Sequence, residues 1–103
     1  MTIKQIYEKA AKLLEKHGWV RHAYCDSMGR ICVAEAIYRA TPGKANRSLR
    51  TDYNERIRFD KSKARNTFLN QEGIVGRYTN LEDWNNRADN TQESVIKALR
   101  TAV

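Results

Sequence analysis

Residues 81–102 constrain the fold more than any other stretch, because they set a bulky aromatic, a polar turn and an amphipathic helix in one short run. Trp84 is followed by Asn85, Asn86, Asp89 and Asn90, and then by Val95, Ile96, Leu99 and Ala102 at helical spacing. The stretch reads as an anchor, a turn and a closing helix, with the remaining helices expected to pack around it. Asparagine and aspartate in a turn normally bond nearby backbone and cap the next helix, so these four are read as capping residues rather than as a ligand site. Asn90 with Glu93, or Thr91 alone, starts the last helix. Trp84 and Trp19 are read as core anchors, since a large aromatic beside a helix end usually buries itself.

Upstream, Thr2 and Gln5 form a capping-box pattern, and Ile3, Ile6, Tyr7, Ala10, Leu13 and Leu14 recur at helical spacing behind it. This predicts a helix from Ile3 to about His17, stopped by Gly18. Trp19 to Asp26 has no helical period and reads as an extended segment or short strand ending at the turn Asp26-Ser27-Met28-Gly29. Ile31 to Thr41 reads as a second helix with small and aliphatic residues on its inner face, ended by Pro42-Gly43. Residues 44–59 are ambiguous. Leu49, Tyr53 and Ile57 are four apart, as in a helix, whereas Ile57 and Phe59 alternate with Arg56 and Arg58, as in a strand. They are expected to form a mobile basic connection with room for a short helix. Asp60 is expected to cap a helix through Ala64, Phe68 and Leu69 that stops near Gly73, followed by an apolar link from Ile74 to Tyr78. Asn80 then starts the turn that brings in Trp84. The fold expected is mainly α: one compact domain over 1–103, of about four helices with at most a short strand pair.

The net charge of +7 is unevenly placed. Between Arg39 and Arg65 lie nine basic residues against three acidic ones, so nearly all of the excess falls in one quarter of the chain. Such a concentration attracts nucleic acid, nucleotides or an acidic protein face, unless it is only a solubilising surface. Tyr53 and Phe59 are interleaved with Arg50, Arg56 and Arg58, the combination that stacking on a base and pairing with phosphate require. The candidate binding residues are therefore Arg47, Arg50, Tyr53, Arg56, Arg58, Phe59, Lys61 and Arg65. The longest apolar run, from Ile31 to Ile37, is broken by Glu35 and falls short of a bilayer span, and the charged first helix leaves no apolar core for a secretory signal. A cytoplasmic protein with no membrane partner is expected.

Other chemistry is poorly supplied. His22, Cys25, Cys32 and Glu35 have metal-ligand side chains, but their spacing matches no zinc pattern, and free cysteines commonly pack as small hydrophobes. Cys32 lies near a helix start, which favours a thiolate, yet no oxyanion hole or third catalytic residue accompanies it. Gly73-Ile74-Val75-Gly76 lacks the lysine of a phosphate loop. Neither a cofactor nor a metal is expected, and no residue is assigned a catalytic role.

Taken in order, Gly18-Trp19, then Gly29-Arg30-Ile31-Cys32 with Ala36, then Trp84-Asn85 and a Thr91-led helix ending in Leu99-Arg100-Thr101-Ala102 resemble a family of small proteins of unknown function found in bacteriophages and actinobacteria. The likeness covers both ends of the chain but not the basic middle. It departs from the family at Asn86, where related sequences tend to have Asp, and at Glu35, where they tend to have Gly. The resemblance implies a phage-type accessory protein without an assigned activity. Together with the charge, it leads to the expectation of a non-enzymatic binder of nucleic acid or a nucleotide. The alternative is a protein-interaction module that inhibits a host enzyme or defence complex.

Overall fold

The computed structural model describes residues 1–71 and 80–102. Six helices lie among them: α1 (Ile3–His17), α2 (Val33–Ala40), α3 (Tyr53–Asp60), α4 (Lys63–Gln71), α5 (Leu81–Asn85) and α6 (Gln92–Thr101). This exceeds the expected four or so, because the basic middle folds a helix of its own and the Trp84 turn is itself helical. The expected stop at Gly73 and the link from Ile74 to Tyr78 lie outside the described residues. Among the described residues no helix is long and apolar enough to cross a membrane.

Helix α1 begins as its sequence dictates. The Gln5 N–H donates to Thr2 Oγ1 at 3.1 Å and the Thr2 N–H donates back to Gln5 Oε1 at 2.8 Å, satisfying two end groups that would otherwise lack partners. Its apolar stripe of Ile6, Tyr7, Ala10, Ala11 and Leu14 is buried. Gly18 ends it at φ 89°, a conformation that an L side chain rarely adopts, and a Cβ there would come within 3.0 Å of Arg30 Cγ.

Helix α2 is the most completely buried of the helices. Seven of its eight residues are buried, and it packs against α1, α4 and α5. Alanines 34, 36 and 40 allow this, because their short side chains let neighbouring helices approach closely. The C-terminal stretch is therefore a wall rather than the centre: α6 packs on α1, and α5 on α2. Trp84 is an anchor as expected, buried edge-on to Phe68 at 5.0 Å, and Phe68 in turn meets Tyr7 at 5.6 Å. The Tyr7 hydroxyl donates to the Ala64 carbonyl at 2.7 Å, tying α1 to the start of α4.

Trp19 to Cys32 forms a loop closed on itself rather than a strand pair. Fully buried Ile31 bridges Trp19 on one side and Cys25 on the other as isolated pairings. Asn85 holds this loop. Its Oδ1 accepts from Trp19 Nε1 at 2.7 Å and from the Val33 N–H at 2.9 Å, while its Nδ2 donates to the Val20 carbonyl at 3.0 Å. Asn85 thus fixes tertiary structure and does not cap the next helix. Of the two starts read for α6, the cap is Thr91, in a reciprocal box with Ser94, and not Asn90 with Glu93. Trp19 itself is only half-buried, with the Arg21 guanidinium 5.0 Å from its ring centroid. Asp60 ends α3 instead of capping α4; the Ser62 hydroxyl accepts from the Arg65 N–H there.

Candidate functional site

The basic segment wraps around two buried carboxylates. Glu35 points outward from α2 without reaching water. Its Oε1 accepts from the Leu49 N–H at 2.8 Å, and its Oε2 accepts from Arg39 Nε at 2.9 Å, within an ion pair whose shortest distance, from Arg39 Nη2, is 2.7 Å. Glu55, in the first turn of α3, is only 1% exposed. Its Oε1 accepts from Lys44 Nζ and Arg47 Nη1, both at 2.8 Å, with Arg58 Nη1 at 3.6 Å. The hydrogen bond from Lys44 holds the Glu55 carboxyl below its ordinary value of 4.5; burial opposes that shift, and the charges of Lys44, Arg58 and Arg47 support it.

Three cations on one carboxylate leave a surplus of positive charge at the surface. Two cavities open beside it. One, of about 460 Å3, is lined by Arg39, Asn46, Arg47, Ser48, Thr51 and Asp52. The other, of about 210 Å3, is lined by Tyr38, Lys44, Glu55, Arg58 and Ser62 among others. The Tyr38 hydroxyl is buried and has no hydrogen-bond partner among the described residues.

The residues singled out from the sequence divide into two groups. Arg47, Arg50, Arg58 and Lys61 are exposed, and Tyr53 presents its ring at 68% exposure. Arg56 lies between two rings, its guanidinium carbon 5.7 Å from the centroid of Tyr24 and 5.5 Å from that of Tyr53. Phe59, by contrast, is 5% exposed, packs edge-on against Tyr38 at 6.1 Å and lines the smaller of the two cavities beside Lys44 and Arg58. Arg65 is buried, with Nη1 donating to Asn66 Oδ1 and to the Asp60 carbonyl, where it braces the α3–α4 corner. Arg39 and Lys44 belong to the face and were absent from the candidate set. The i,i+4 spacing of Glu35 and Arg39 was a visible signal for the first. Nothing local marks Lys44, which meets Glu55 only through the fold.

Of His22, Cys25, Cys32 and Glu35, His22 and Cys32 line one cavity, whereas the Glu35 carboxylate is held by Leu49 and Arg39. Among the described residues no three His, Cys, Asp or Glu side chains are placed to hold a metal. Cys32 does sit at the start of α2, as its N-cap, with Sγ accepting from the Glu35 N–H at 3.4 Å. Burial outweighs that position: at 2% exposure the thiol is pushed up to about 12, so it stays protonated. Cys25 Sγ lies 3.9 Å from Ser48 Oγ.

The chain as a whole belongs to a family of proteins whose function is unknown. It is the family of unknown function DUF6197, which matches residues 1–103, the basic middle included. No curated protein and no solved structure matches the chain.

Proposed function

We propose that this protein is a non-enzymatic accessory protein that binds a phosphate-bearing acidic ligand, nucleic acid or a nucleotide, on the face around Glu55. The supporting observation is the excess of cations there: Lys44, Arg47 and Arg58 converge on a single buried carboxylate, with Arg39 nearby on Glu35. Glu55 neutralises one of the three and pre-orders all of them, so the entropy of fixing long side chains is spent in folding rather than in binding. Arg50 and Lys61 extend the positive surface, and the exposed Tyr53 ring supplies a stacking platform. Phe59 and Arg65 serve the scaffold.

The test is fluorescence anisotropy with a labelled single-stranded oligonucleotide and a labelled nucleotide across a salt series. Binding is expected to weaken steeply with salt, with a log–log slope of about −0.7 per phosphate neutralised on a single strand. Salt-insensitive binding, or none to either probe, overturns the proposal.

A further inference from the structure

A separate cavity of about 300 Å3 lies between the Trp19–Cys32 loop and α5, lined by His22, Ala23, Tyr24, Cys32, Glu82 and Asn86 among others. Among the described residues that line it, Glu82 is the one carboxylate and none is a lysine or arginine, in contrast to the basic face. Glu82 Oε1 accepts from the Tyr24 hydroxyl at 3.1 Å, and Oε2 accepts from no group among the described residues. Burial and the neighbouring carboxylate both push the Tyr24 phenol up, so it remains a donor to Glu82. The Tyr24 ring is attractive to cations, as the Arg56 guanidinium 5.7 Å from its centroid shows, and Arg56 itself does not line the cavity. The rim is fixed. His22 is held at φ 64°, uncommon for a residue with a side chain, and its N–H donates to Asn86 Oδ1 at 2.8 Å.

An anionic ligand here would face the Glu82 carboxylate, and an apolar one would desolvate that carboxylate without replacing its hydrogen bonds. A group with N–H donors and positive charge satisfies both the free Oε2 and the ring, while Ala23 and the protonated Cys32 thiol accommodate a short apolar body. We infer that this cavity is a binding site for a small organic cation, a protonated amine or guanidinium, with the Glu82 carboxylate as counter-ion and the Tyr24 ring as its wall. The inference does not depend on the reading of the basic face.

The probe is agmatine, which carries one ammonium and one guanidinium group, titrated into the full-length 15N-labelled chain at about 0.15 M salt, where charges beyond roughly 8 Å are largely screened. The expected result is saturable amide shifts at Tyr24, Glu82 and Asn86, with affinity reduced about tenfold in Glu82→Gln, which keeps the shape but removes the charge. Asn86→Asp retains the acceptor for the His22 N–H, adds a second carboxylate, and should tighten agmatine binding. The double variant Arg50→Glu/Lys61→Glu should bind agmatine as the parent does while losing affinity for the oligonucleotide. That difference separates failure of this inference from failure of the phosphate-binding proposal. No shift at the cavity, or equal affinity in the parent, Glu82→Gln and Asn86→Asp chains, overturns it.

Discussion

The carboxylate of Glu35, in the first turn of a buried helix, accepts a hydrogen bond from the backbone N–H of Leu49 at 2.8 Å. Leu49 is itself fully buried, so the basic loop between α2 and α3 is pinned by an apolar side chain and by a buried polar interaction at the same residue. This hydrogen bond, together with Glu55, converts a run of like charges into a defined surface.

Removing that acceptor strands a buried donor. Glu35→Ala is expected to destabilise the protein by about 1–3 kcal/mol, the range for a buried hydrogen bond broken from one side. Glu35→Gln, which keeps a carbonyl for the Leu49 N–H and gives up only the partly solvated pair with Arg39, should cost less. Urea unfolding of the three chains measures the difference.

Glu55 gives the stability a pH dependence of known sign. Its folded-state pKa lies below the ordinary 4.5, so its contribution is complete above that value and is lost as pH falls through the folded pKa. Asp26 and Glu15 are lowered in the same direction, so the parent alone cannot isolate Glu55. Unfolding free energy measured from pH 6 down to pH 3 should fall less steeply for Glu55→Gln than for the parent.

Charge reversal at exposed positions separates binding from folding. Neither Arg50 nor Lys61 takes part in an ion pair among the described residues. Arg50→Glu/Lys61→Glu is therefore expected to melt within a few degrees of the parent and to reduce the oligonucleotide salt slope by about 0.7 for each phosphate that is no longer neutralised. A slope unchanged by the double variant would remove these two residues from the interface.

Asn85 joins three segments through three hydrogen bonds, and Asn85→Ala leaves the Val33 N–H, the Trp19 indole and the Val20 carbonyl without that partner. A loss of about 1–3 kcal/mol is expected, since the Val33 bond is buried and the bonds to the Trp19 indole and the Val20 carbonyl are part-buried. Thermal denaturation followed by tryptophan fluorescence would report the loss and the release of Trp19 together.

The two thiols should differ sharply. Cys25 is partly exposed, whereas Cys32 is buried and held protonated. One equivalent of a thiol reagent is expected to react in the folded chain at pH 8, and the second only on addition of denaturant.

The helices at the two ends were legible because their signals are local. The Thr2–Gln5 box, the stripe from Ile6 to Leu14 and the glycine stop at 18 each lie within a turn or two of what they determine. Thr91, one of the two starts read for the last helix, caps it, and Asn80, read as the start of a turn, caps a short helix. The basic middle was ambiguous because its helix is decided by partners distant in sequence: Glu55 is buried by Lys44 and Arg47, and Phe59 by Tyr38. Without that burial, Ile57, Arg58 and Phe59 fit either period. The same cause hid the burial of Phe59 and Arg65. Asn85 was read as a turn residue because its three partners lie 52 to 66 positions away, a distance at which spacing carries no information. Helix α2 was recognised as small-sided, but its central place depended on which neighbours those small faces admit.

That central place has a consequence for the order of assembly. An eight-residue helix is too short to persist in water alone, since isolated helices below about 12–15 residues are marginal even for favourable sequences. Helix α2 gains its hydrogen bonds only once α1, α4 and α5 enclose it, and α5 lies near the far end of the chain. During synthesis the middle of the molecule therefore waits for residues 81–85 to emerge. A ribosome-stalled chain ending before Trp84 should remain open to proteases throughout, with no half of the protein maturing ahead of the other.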